Sequence, residues 1–378
     1  MSILIGADIV PSFNNEKLFS NGNVELLFGF ELGNILKEAD FRVFNLEAPL
    51  TNLYTPIEKC GPNLRADCST IVGIKKMGVD LFTLANNHIM DYGNEALKST
   101  ISLLNFNKIN HLGAGENLKQ AQKPFIVKIK GITYGFYACA EHEFSIAERN
   151  TPGANPFDPL ESFDHVADLS KSCDYTIVLY HGGKEHYRYP SPMLQRVCRK
   201  FVEKGADFVV CQHSHCIGCE EKYMKGSIIY GQGNFLFNSS KGPFVETSLL
   251  IRLNDDFSID YLPLAKTEYG ISLANGAIAK EILSSLKKRS ELIQNTSFVE
   301  NEYKKFAKKK FKDYMLACSG YAHKPVLRFL NKISGRRYTQ LIVNSYKKKE
   351  LLAIRNFIEC ESHRELWTHG LKEFIYKI

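Results

Sequence analysis

Tyr180-His181-Gly182-Gly183 and Gln212-His213-Ser214-His215 decide the fold of this chain, because each places histidine directly after an apolar run. Earlier apolar runs end in Asp8, in Glu47 and in Asn87-His88. The carboxyl ends of parallel strands meet at one edge of an α/β sheet, so these side chains should converge there. Carboxylate, amide and imidazole groups bind divalent metals. The sequence therefore predicts a metal site.

The spacing of the runs predicts an α/β fold. We predict strands over residues 2–7, 42–46, 81–84, 125–129, 133–138, 176–179 and 208–211, and helices over 31–38, 70–76, 95–105 and 193–204. Such alternation implies a mostly parallel sheet covered by helices on both faces. After His215, residues 220–224, 227–230, 245–253 and 258–263 predict hairpin strands of a second, largely antiparallel sheet. Helix formers dominate from Ala277 onward.

Charge is unevenly distributed along the chain. Residues 280–378 carry 22 Lys and Arg against 10 Asp and Glu, whereas residues 1–279 carry 26 against 31. The two parts therefore differ in the sign of their net charge, which favours a domain boundary between them. We predict a catalytic domain over residues 1–275 and a basic helical C-terminal extension over residues 276–378.

The sequence also indicates a compartment. No apolar run approaches the length of a membrane span. The first strand begins at Ile3 and leads into Asp8, so a cleavable signal peptide would remove part of the metal site. Several of the ten cysteines lie inside apolar patterns, where a free thiol behaves as a small hydrophobic group. We therefore expect a cytoplasmic protein.

Each candidate ligand has an ordinary structural alternative. A single Asp at a strand end is more often a turn or helix-capping residue, and a single His is usually satisfied by a backbone carbonyl. The coincidence of such residues at several predicted strand ends favours the metal site. Because residues i and i+2 of an extended chain point to one side, we expect His213 and His215 to share a face.

A longer series of motifs resembles a known family. The motifs are Gly6-Ala7-Asp8, Asn45-Leu46-Glu47, Leu84-Ala85-Asn86-Asn87-His88, Leu112-Gly113-Ala114-Gly115, His181-Gly182-Gly183-Lys184-Glu185, His213-Ser214-His215 and Gly231-Gln232-Gly233-Asn234-Phe235. Their order resembles the poly-gamma-glutamate capsule-synthesis (CapA-type) family, a branch of the calcineurin-like metallophosphoesterase superfamily. The resemblance covers roughly residues 3–265. It implies a four-layer α/β sandwich with two central mixed sheets.

The resemblance also implies roles for the strand-end residues. It assigns metal ligation to five of them and a bridging position to a carboxylate: the ligands are Asp8, Asn87, His181, His213 and His215, and the bridge is Glu47. His88 becomes the acid that stabilises or protonates the leaving oxygen. Glu185 is either a general acid or base, or a solvated loop residue.

The chain departs from the expected patterns at three places. The superfamily usually carries Asp-x-His at the first strand, where this chain has Asp8-Ile9-Val10. One metal position therefore lacks a histidine, and a single-metal enzyme is an alternative. Glu47 stands where the superfamily typically has Asp. Gly182 and His186 replace the Trp and Tyr of the family pattern His-Trp-Gly-x-Glu-Tyr, so the wall that faces the substrate should differ.

These residues predict a metal-dependent hydrolase that cleaves a phosphoester or amide bond through metal-activated water. Two divalent ions about 3.5–4 Å apart can lower the pKa of bound water to about 7, and manganese, zinc and iron all suit the ligands. The resemblance implies a substrate in capsule biosynthesis. This substrate is a small molecule or a polymer, and anionic substrates are included. The alternative is an assembly factor in cell-surface polymer synthesis with little or no turnover.

Lysines are densest in the Lys304–Lys312 region, where apolar residues recur at helical spacing. A basic amphipathic helix suits an anionic membrane surface or a polyanion. The simpler interpretation is a helix packed on the acidic catalytic domain with solvated lysines. A metal-dependent nuclease that uses this tail is a further alternative, although the chain has no dedicated nucleic-acid motif.

Overall fold

The computed structural model describes residues 2–12, 14–237, 242, 244–319, 325–335 and 337–375. The chain divides into two compact units, Met1–Glu300 and Asn301–Ile378. The first unit extends beyond the boundary expected at residue 275, because the helix Gly276–Leu292 contacts the strands Glu220–Tyr223 and Ile259–Lys266. None of the described helices is both long and apolar enough to cross a membrane.

The strands of the described residues all lie in the first unit. They are β1 (Ser2–Ile9), β2 (Phe41–Leu46), β3 (Leu81–Thr83), β4 (Asn110–Leu112), β5 (Ala114–Gly115), β6 (Phe125–Ile129), β7 (Ile132–Ala140), β8 (Gly153–Ala154), β9 (Tyr175–His181), β10 (Phe208–Gln212), β11 (Glu220–Tyr223), β12 (Gly226–Ile229), β13 (Asn234–Leu236), β14 (Thr247–Asn254), β15 (Ile259–Lys266) and β16 (Ile271–Leu273). As far as these residues show, a first sheet has the order β16-β15-β14-β1-β2-β3-β4, with β13 also paired to β1. A second sheet has the order β11-β12-β10-β9-β7-β6.

The division of strands between the sheets differs from the prediction. The hairpin strands after His215 do not form a sheet of their own: β11 and β12 extend the second sheet, whereas β14 and β15 extend the first. Each sheet is therefore mixed. The first has parallel strands from β1 to the β4 edge and antiparallel strands from β14 to the β16 edge. The second has parallel strands at its centre and an antiparallel strand at each edge, β11 and β6. The prediction of a separate antiparallel sheet was wrong because a local pattern identifies strands and not their partners. The predicted fold class, with two mixed central sheets, is confirmed.

The helices of the described residues cover the sheets and form the second unit. They are α1 (Glu16–Ser20), α2 (Glu25–Glu38), α3 (Ile71–Lys76), α4 (Gly93–Phe106), α5 (Leu118–Ala121), α6 (Ser162–Ser170), α7 (Pro192–Glu203), α8 (Gly276–Leu292), α9 (Thr296–Cys318), α10 (Pro325–Ile333), α11 (Arg337–Ser345), α12 (Lys348–Glu359) and α13 (Glu361–Ile375). The start of α7 shows why such segments become helical. Ser191 accepts a hydrogen bond from the backbone N–H of Leu194, and Pro192 occupies the first turn.

Successive side chains of the strands point to opposite faces of each sheet, and this alternation produces the four layers. Leu4 and Phe44 point from the first sheet toward α2, α3 and α4. Ile3 and Ile5 point the other way, into a core shared with residues of β7, β9 and β10 in the second sheet. The far face of the second sheet, including Val178, packs against α6 and α7. Since successive residues of a strand face opposite sides, apolar strands buried on both faces produce this helix–sheet–sheet–helix order.

Gly113 follows β4 of the first sheet and lies close to Ala85, which follows β3, and to Ala138 in β7 of the second sheet. Its φ is +81°, and an added Cβ would lie 2.7 Å from Ala85 Cβ and 3.0 Å from Ala138 Cβ. Gly131 has a similar φ of +93°, but an added Cβ there would meet nothing within 4 Å. The two glycines therefore share a backbone requirement and differ in their surroundings.

We predict that Gly113→Ala lowers the free energy of unfolding more than Gly131→Ala does. Left-handed backbone alone costs an alanine about 1–2 kcal/mol, and overpacking adds about 1–3 kcal/mol at Gly113. Denaturant-induced unfolding of the two variants measures the difference. Equal losses would contradict the close approach of the sheets at Gly113.

Candidate metal site

Two buried carboxylates reach the site from neighbouring strands of the first sheet. β1 contains one residue more than β2 between the pairs Ile5–Val43 and Asp8–Asn45, and such a bulge bends a strand and redirects its side chains. Glu47 directly follows β2. Asp8 and Glu47 are both fully buried, and they lie at the same end of the sheet, as the strand-end argument predicts.

Three histidines reach the site from the second sheet. His181 is the last residue of β9 and pairs with Gln212, the last residue of β10. His213 and His215 follow in a bend, with φ values of +82° and +52°. They do not lie in extended chain as expected, although both contribute to the site. Left-handed backbone at non-glycine residues costs of order 1–3 kcal/mol each and is concentrated at functional sites.

Among the described residues, two groups of buried side chains have metal-ligand spacing, and Glu47 belongs to both. One group is Glu47, His181 and His213, and the other is Asp8, Glu47 and His215. Within each group the ligand atoms lie within 4.8 Å of one another. Glu47 Oε1 lies 3.4 Å from His181 Nε2, and Asp8 Oδ2 lies 3.5 Å from His215 Nδ1. This arrangement fits two adjacent cations that share Glu47.

The hydrogen bonding of the carboxylates tests whether a cation fits. Both carboxylate oxygens of Glu47, and Oδ2 of Asp8, are buried without a hydrogen-bond partner. An ionised carboxylate that is removed from water costs several kcal/mol unless a cation or donor compensates it. Carboxylate and imidazole are ligands that divalent transition metals accept. The unsatisfied oxygens and the chemistry of the donors therefore fit a divalent-metal centre.

The surrounding charges set the protonation of the ligands. Burial, together with nearby His181 and His215, holds the pKa of His213 well below its usual value, so its ring is neutral. Burial also opposes the ionisation of Asp8, but His215 and His181 outweigh it and lower the pKa of Asp8. Burial lowers the pKa of His215, whereas Glu47 and Asp8 outweigh it and raise that pKa to about 10. A cation between these carboxylates therefore competes with a proton on His215.

An amide network that the sequence reasoning missed holds the ligands in place. Asn45 Nδ2 donates to Asp8 Oδ1 at 2.8 Å and lies 3.3 Å from His181 Nδ1. Asn86 Nδ2 donates to Asn45 Oδ1 at 3.0 Å and to the Leu46 carbonyl at 2.8 Å. Asn45 thus contacts one candidate ligand from each sheet, Asp8 from the first and His181 from the second. The feature of the sequence that could have revealed this network was the polar Asn45 inside the apolar run of β2.

Two further asparagines complete the surroundings of the ligands. Asn87 Oδ1 lies 3.0 Å from His181 Nε2, which places this predicted ligand beside the first group, and Asn87 Nδ2 donates to Glu143 Oε2 at 3.2 Å. Asn234 Oδ1 lies 2.8 Å from His215 Nδ1. Asn234 opens β13, which pairs with β1 at Asp8. The sequence reasoning gave no role to Glu143 or Asn234.

His88 lies beside the ligands in a buried ionic cluster. Its Nδ1 is 2.7 Å from Asp91 Oδ2 and 3.3 Å from Lys59 Nζ, and Lys59 forms an ion pair with Asp91. The side chains of Lys59 and Asp91 are almost fully buried. Asp91 therefore fixes the ring of His88 through Nδ1 and leaves Nε2 without a hydrogen bond to the described residues. Lys59 and Asp91 were not identified from the sequence.

Glu185, the other predicted acid or base, occupies a different environment. It is exposed in the turn that follows β9. Glu141 lies closer to the ligand strand: its Oε1 accepts a hydrogen bond from the backbone N–H of Gly183 at 3.1 Å, and burial raises its pKa. The solvated-loop interpretation of Glu185 agrees with this exposure.

Comparison with known proteins identifies the family of the chain. Residues 18–239 match the model of a family described as bacterial capsule synthesis protein PGA_cap. The chain is 30% identical over 242 residues to the capsule biosynthesis protein CapA of Bacillus anthracis, with 61% of this chain and 59% of that protein covered. It is 29% identical over 237 residues to the PGA biosynthesis protein CapA of Bacillus subtilis (strain 168), with 61% and 62% covered. The chain thus spans about three fifths of the length of these curated relatives.

Solved structures show a weaker likeness. A crystal structure described as a novel phosphatase of Mycoplasma pneumoniae aligns with a TM-score of 0.43 and 13% sequence identity. The alignment covers 70% of this chain and 93% of that protein.

We predict a pattern of metal loss among single variants. Glu47→Ala removes both ions because Glu47 belongs to both ligand groups, whereas His213→Ala and His215→Ala each remove about one ion from the site. His363→Ala, at an exposed residue of the second unit, is the matched control and retains the metal. Elemental analysis of the purified proteins gives the stoichiometry. Full metal content in Glu47→Ala would overturn the shared position.

Proposed function

The chain belongs to the bacterial capsule synthesis protein family PGA_cap, and from this starting point we propose that it is a metal-dependent hydrolase of a phosphoester or amide bond. The observation that carries the proposal is the buried carboxylate of Glu47, whose two oxygens lack hydrogen-bond donors between two groups of metal ligands. A buried structural carboxylate would normally be paired with donors. The names of the curated relatives support a substrate in the synthesis of a capsule polymer.

The ligands supply the first requirement of hydrolysis. When bound, two divalent ions lower the pKa of water and polarise the bond to be cleaved. Asp8, Glu47, His181, His213 and His215 would hold the ions, and the Asn45–Asn86 network keeps two of these ligands oriented. Partners that orient metal ligands commonly affect metal affinity as strongly as 10–100-fold.

His88 supplies the second requirement, a proton for the leaving group. Asp91 holds Nδ1 of the ring at 2.7 Å, so Nε2 is the ring nitrogen that can donate a proton when both nitrogens are protonated. The neighbouring ammonium of Lys59 balances the charge of Asp91 in this buried position. General-acid assistance of this kind contributes about 10²–10⁴-fold to a rate.

An assembly role without turnover is the second candidate. It is favoured by the relatives, whose names describe biosynthesis of the capsule or its polymer and no hydrolysis. In that case the metal centre would shape a surface for other components of polymer synthesis. The two candidates share the metal site and differ in turnover.

The basic residues of α9 support a separate contact with an anionic surface. Lys304, Lys305, Lys308, Lys309 and Lys312 are exposed along this helix. We propose that they bind a polyanion or an anionic membrane surface. Binding of the full chain to anionic vesicles or to nucleic acid should fall steeply with salt and should weaken when these five lysines are changed to glutamine. Unchanged binding in that variant would contradict the contact, and nucleic-acid binding would favour the nuclease alternative.

The test of the hydrolase compares wild type and His88→Ala after loading with manganese, zinc or iron. Phosphomonoester, phosphodiester and γ-glutamyl amide substrates cover the proposed bonds. We expect wild-type turnover that a chelator abolishes. We expect His88→Ala to keep its metal and lose about 10²–10⁴-fold in rate, Asp91→Asn to lose less and shift the pH profile, and His363→Ala to match wild type.

Three outcomes would change this account. Full turnover in His88→Ala would remove its role as the acid. Loss of metal from that variant would make His88 a ligand. Two bound ions without turnover of any substrate would favour the assembly role.

A further inference from the structure

A pocket lined by cationic side chains lies next to the metal ligands. It has a volume of about 410 Å³, and its lining includes His186, Arg188, Lys288 and Arg289 but no carboxylate among the described residues. Arg188 comes from the loop between β9 and α7, and the other two cations come from α8. Two segments that are far apart in the sequence therefore bring like charges to one concave surface.

Arg289 is held rigidly, with one nitrogen left without a partner. The residue is only 5% exposed. Its Nε donates to the Gly218 carbonyl at 2.8 Å and its Nη1 donates to Ser285 Oγ at 2.5 Å. Its Nη2 is buried without a hydrogen-bond partner. Because buried donors are almost always satisfied, an unpaired nitrogen on a residue that lines the pocket is a candidate donor to a ligand there.

Arg188 is oriented in a comparable way. Its Nε donates to the Ile217 carbonyl at 3.1 Å, and its guanidinium lies 4.7 Å from the centre of the Phe244 ring. The carbonyls that accept hydrogen bonds from Arg188 and Arg289 belong to consecutive residues, Ile217 and Gly218. That short segment therefore fixes both guanidinium groups beside each other, in an arrangement that costs repulsion unless an anion separates them.

No anion of the described protein compensates this charge. Arg188, Lys288 and Arg289 form no ion pair among the described residues. Burial, and next the charge of Arg188, lower the pKa of Arg289 to about 10, and burial lowers that of Arg188. The thiol of Cys219 donates to the Arg188 carbonyl, and burial raises its pKa to about 12, so it supplies no negative charge at neutral pH. The described residues thus supply no counter-charge to these cations.

The pocket is connected to the metal site through His186. The ring of His186 lines the pocket and lies 6.2 Å, centre to centre, from the ring of the ligand His215. The backbone N–H of His186 also donates to the Ser214 carbonyl, between the two histidines of the bend, at 2.8 Å. His186 therefore belongs both to the lining of the pocket and to the surroundings of the ligand His215.

We propose that this pocket, defined by Arg188, Lys288 and Arg289, binds a carboxylate or phosphate group of the substrate while a second part of that substrate lies at the metal ligands. The guanidinium groups of buried Arg289 and half-buried Arg188 offer the planar donors that carboxylate and phosphate groups accept. Exposed Lys288 adds charge at the rim. The substrate class is then a molecule with at least two separate anionic or ester groups. This assignment to the substrate rests on the proposed function; the binding of the anion does not.

The first test measures anion binding without the metal. The chelator-treated full chain is titrated by calorimetry with inorganic tripolyphosphate and with a triglutamate peptide, which distinguish phosphate from carboxylate. We expect one probe to bind, and its Kd to rise about tenfold or more in Arg188→Gln and Arg289→Gln and less in Lys288→Gln. Lys287→Gln, an exposed neighbour on the same helix, is the matched charge control and should stay within about twofold of wild type.

Lys288→Gln keeps the test informative if the buried arginine variants do not fold, because its side chain is exposed. Binding of neither probe, or equal effects of Lys287→Gln and Lys288→Gln, would overturn the pocket as an anion site.

The second test links the pocket to the metal site. With the metal-loaded chain, KM is compared for two esters that share the reacting group, one of which carries an additional distal anion. We expect the distal anion to lower KM in wild type and Lys287→Gln, and this advantage to shrink in Lys288→Gln. An advantage that Lys288→Gln leaves intact would separate the pocket from the substrate. If the protein shows no turnover at all, the proposed function fails while the calorimetric result still decides whether the pocket binds an anion.

Discussion

The carboxylate of Glu47 imposes the constraint on which the rest of the site depends. It is fully buried, both of its oxygens lack hydrogen-bond donors, and it belongs to both groups of potential ligands. A carboxylate in this position costs several kcal/mol unless a positive charge compensates it, either a proton on His215 or a bound cation. That cost is a large part of the total stability of an ordinary domain. A bound cation removes that cost. Metal binding would therefore be coupled to folding stability, since an ion would stabilise only the arrangement that assembles its ligands.

The fold concentrates its irregularities around that carboxylate. The bulge in β1 precedes Asp8, and the left-handed backbone of His213 and His215 follows β10. Each sheet alone offers an incomplete set, carboxylates from the first and imidazoles from the second. The packing of the two sheets supplies the complete site. Residues such as Gly113, where the sheets touch, therefore influence the site although they contact no ligand.

The strand ends were predictable from the sequence, whereas the partners of the strands were not. Apolar runs are local, so they identified the strands that carry Asp8, His181 and His213 within a few residues. Sheet membership of β11 to β15 depends on contacts between distant segments, which no local pattern encodes. The same reason explains why Asn45 could not be assigned its bridging hydrogen bonds.

Local sequence patterns could not predict the conformation of the histidine bend or the presence of the cationic pocket. A positive φ at His213 contradicts the preference of non-glycine residues, so a propensity argument gives the opposite answer. Arg188 and Arg289 come together only because α8 packs against β11 and β15. Anomalous diffraction from crystals grown with manganese tests the central claim most directly. The account predicts two manganese peaks on opposite sides of the Glu47 carboxylate, and a single peak that does not contact Glu47, or no peak at all, would contradict it.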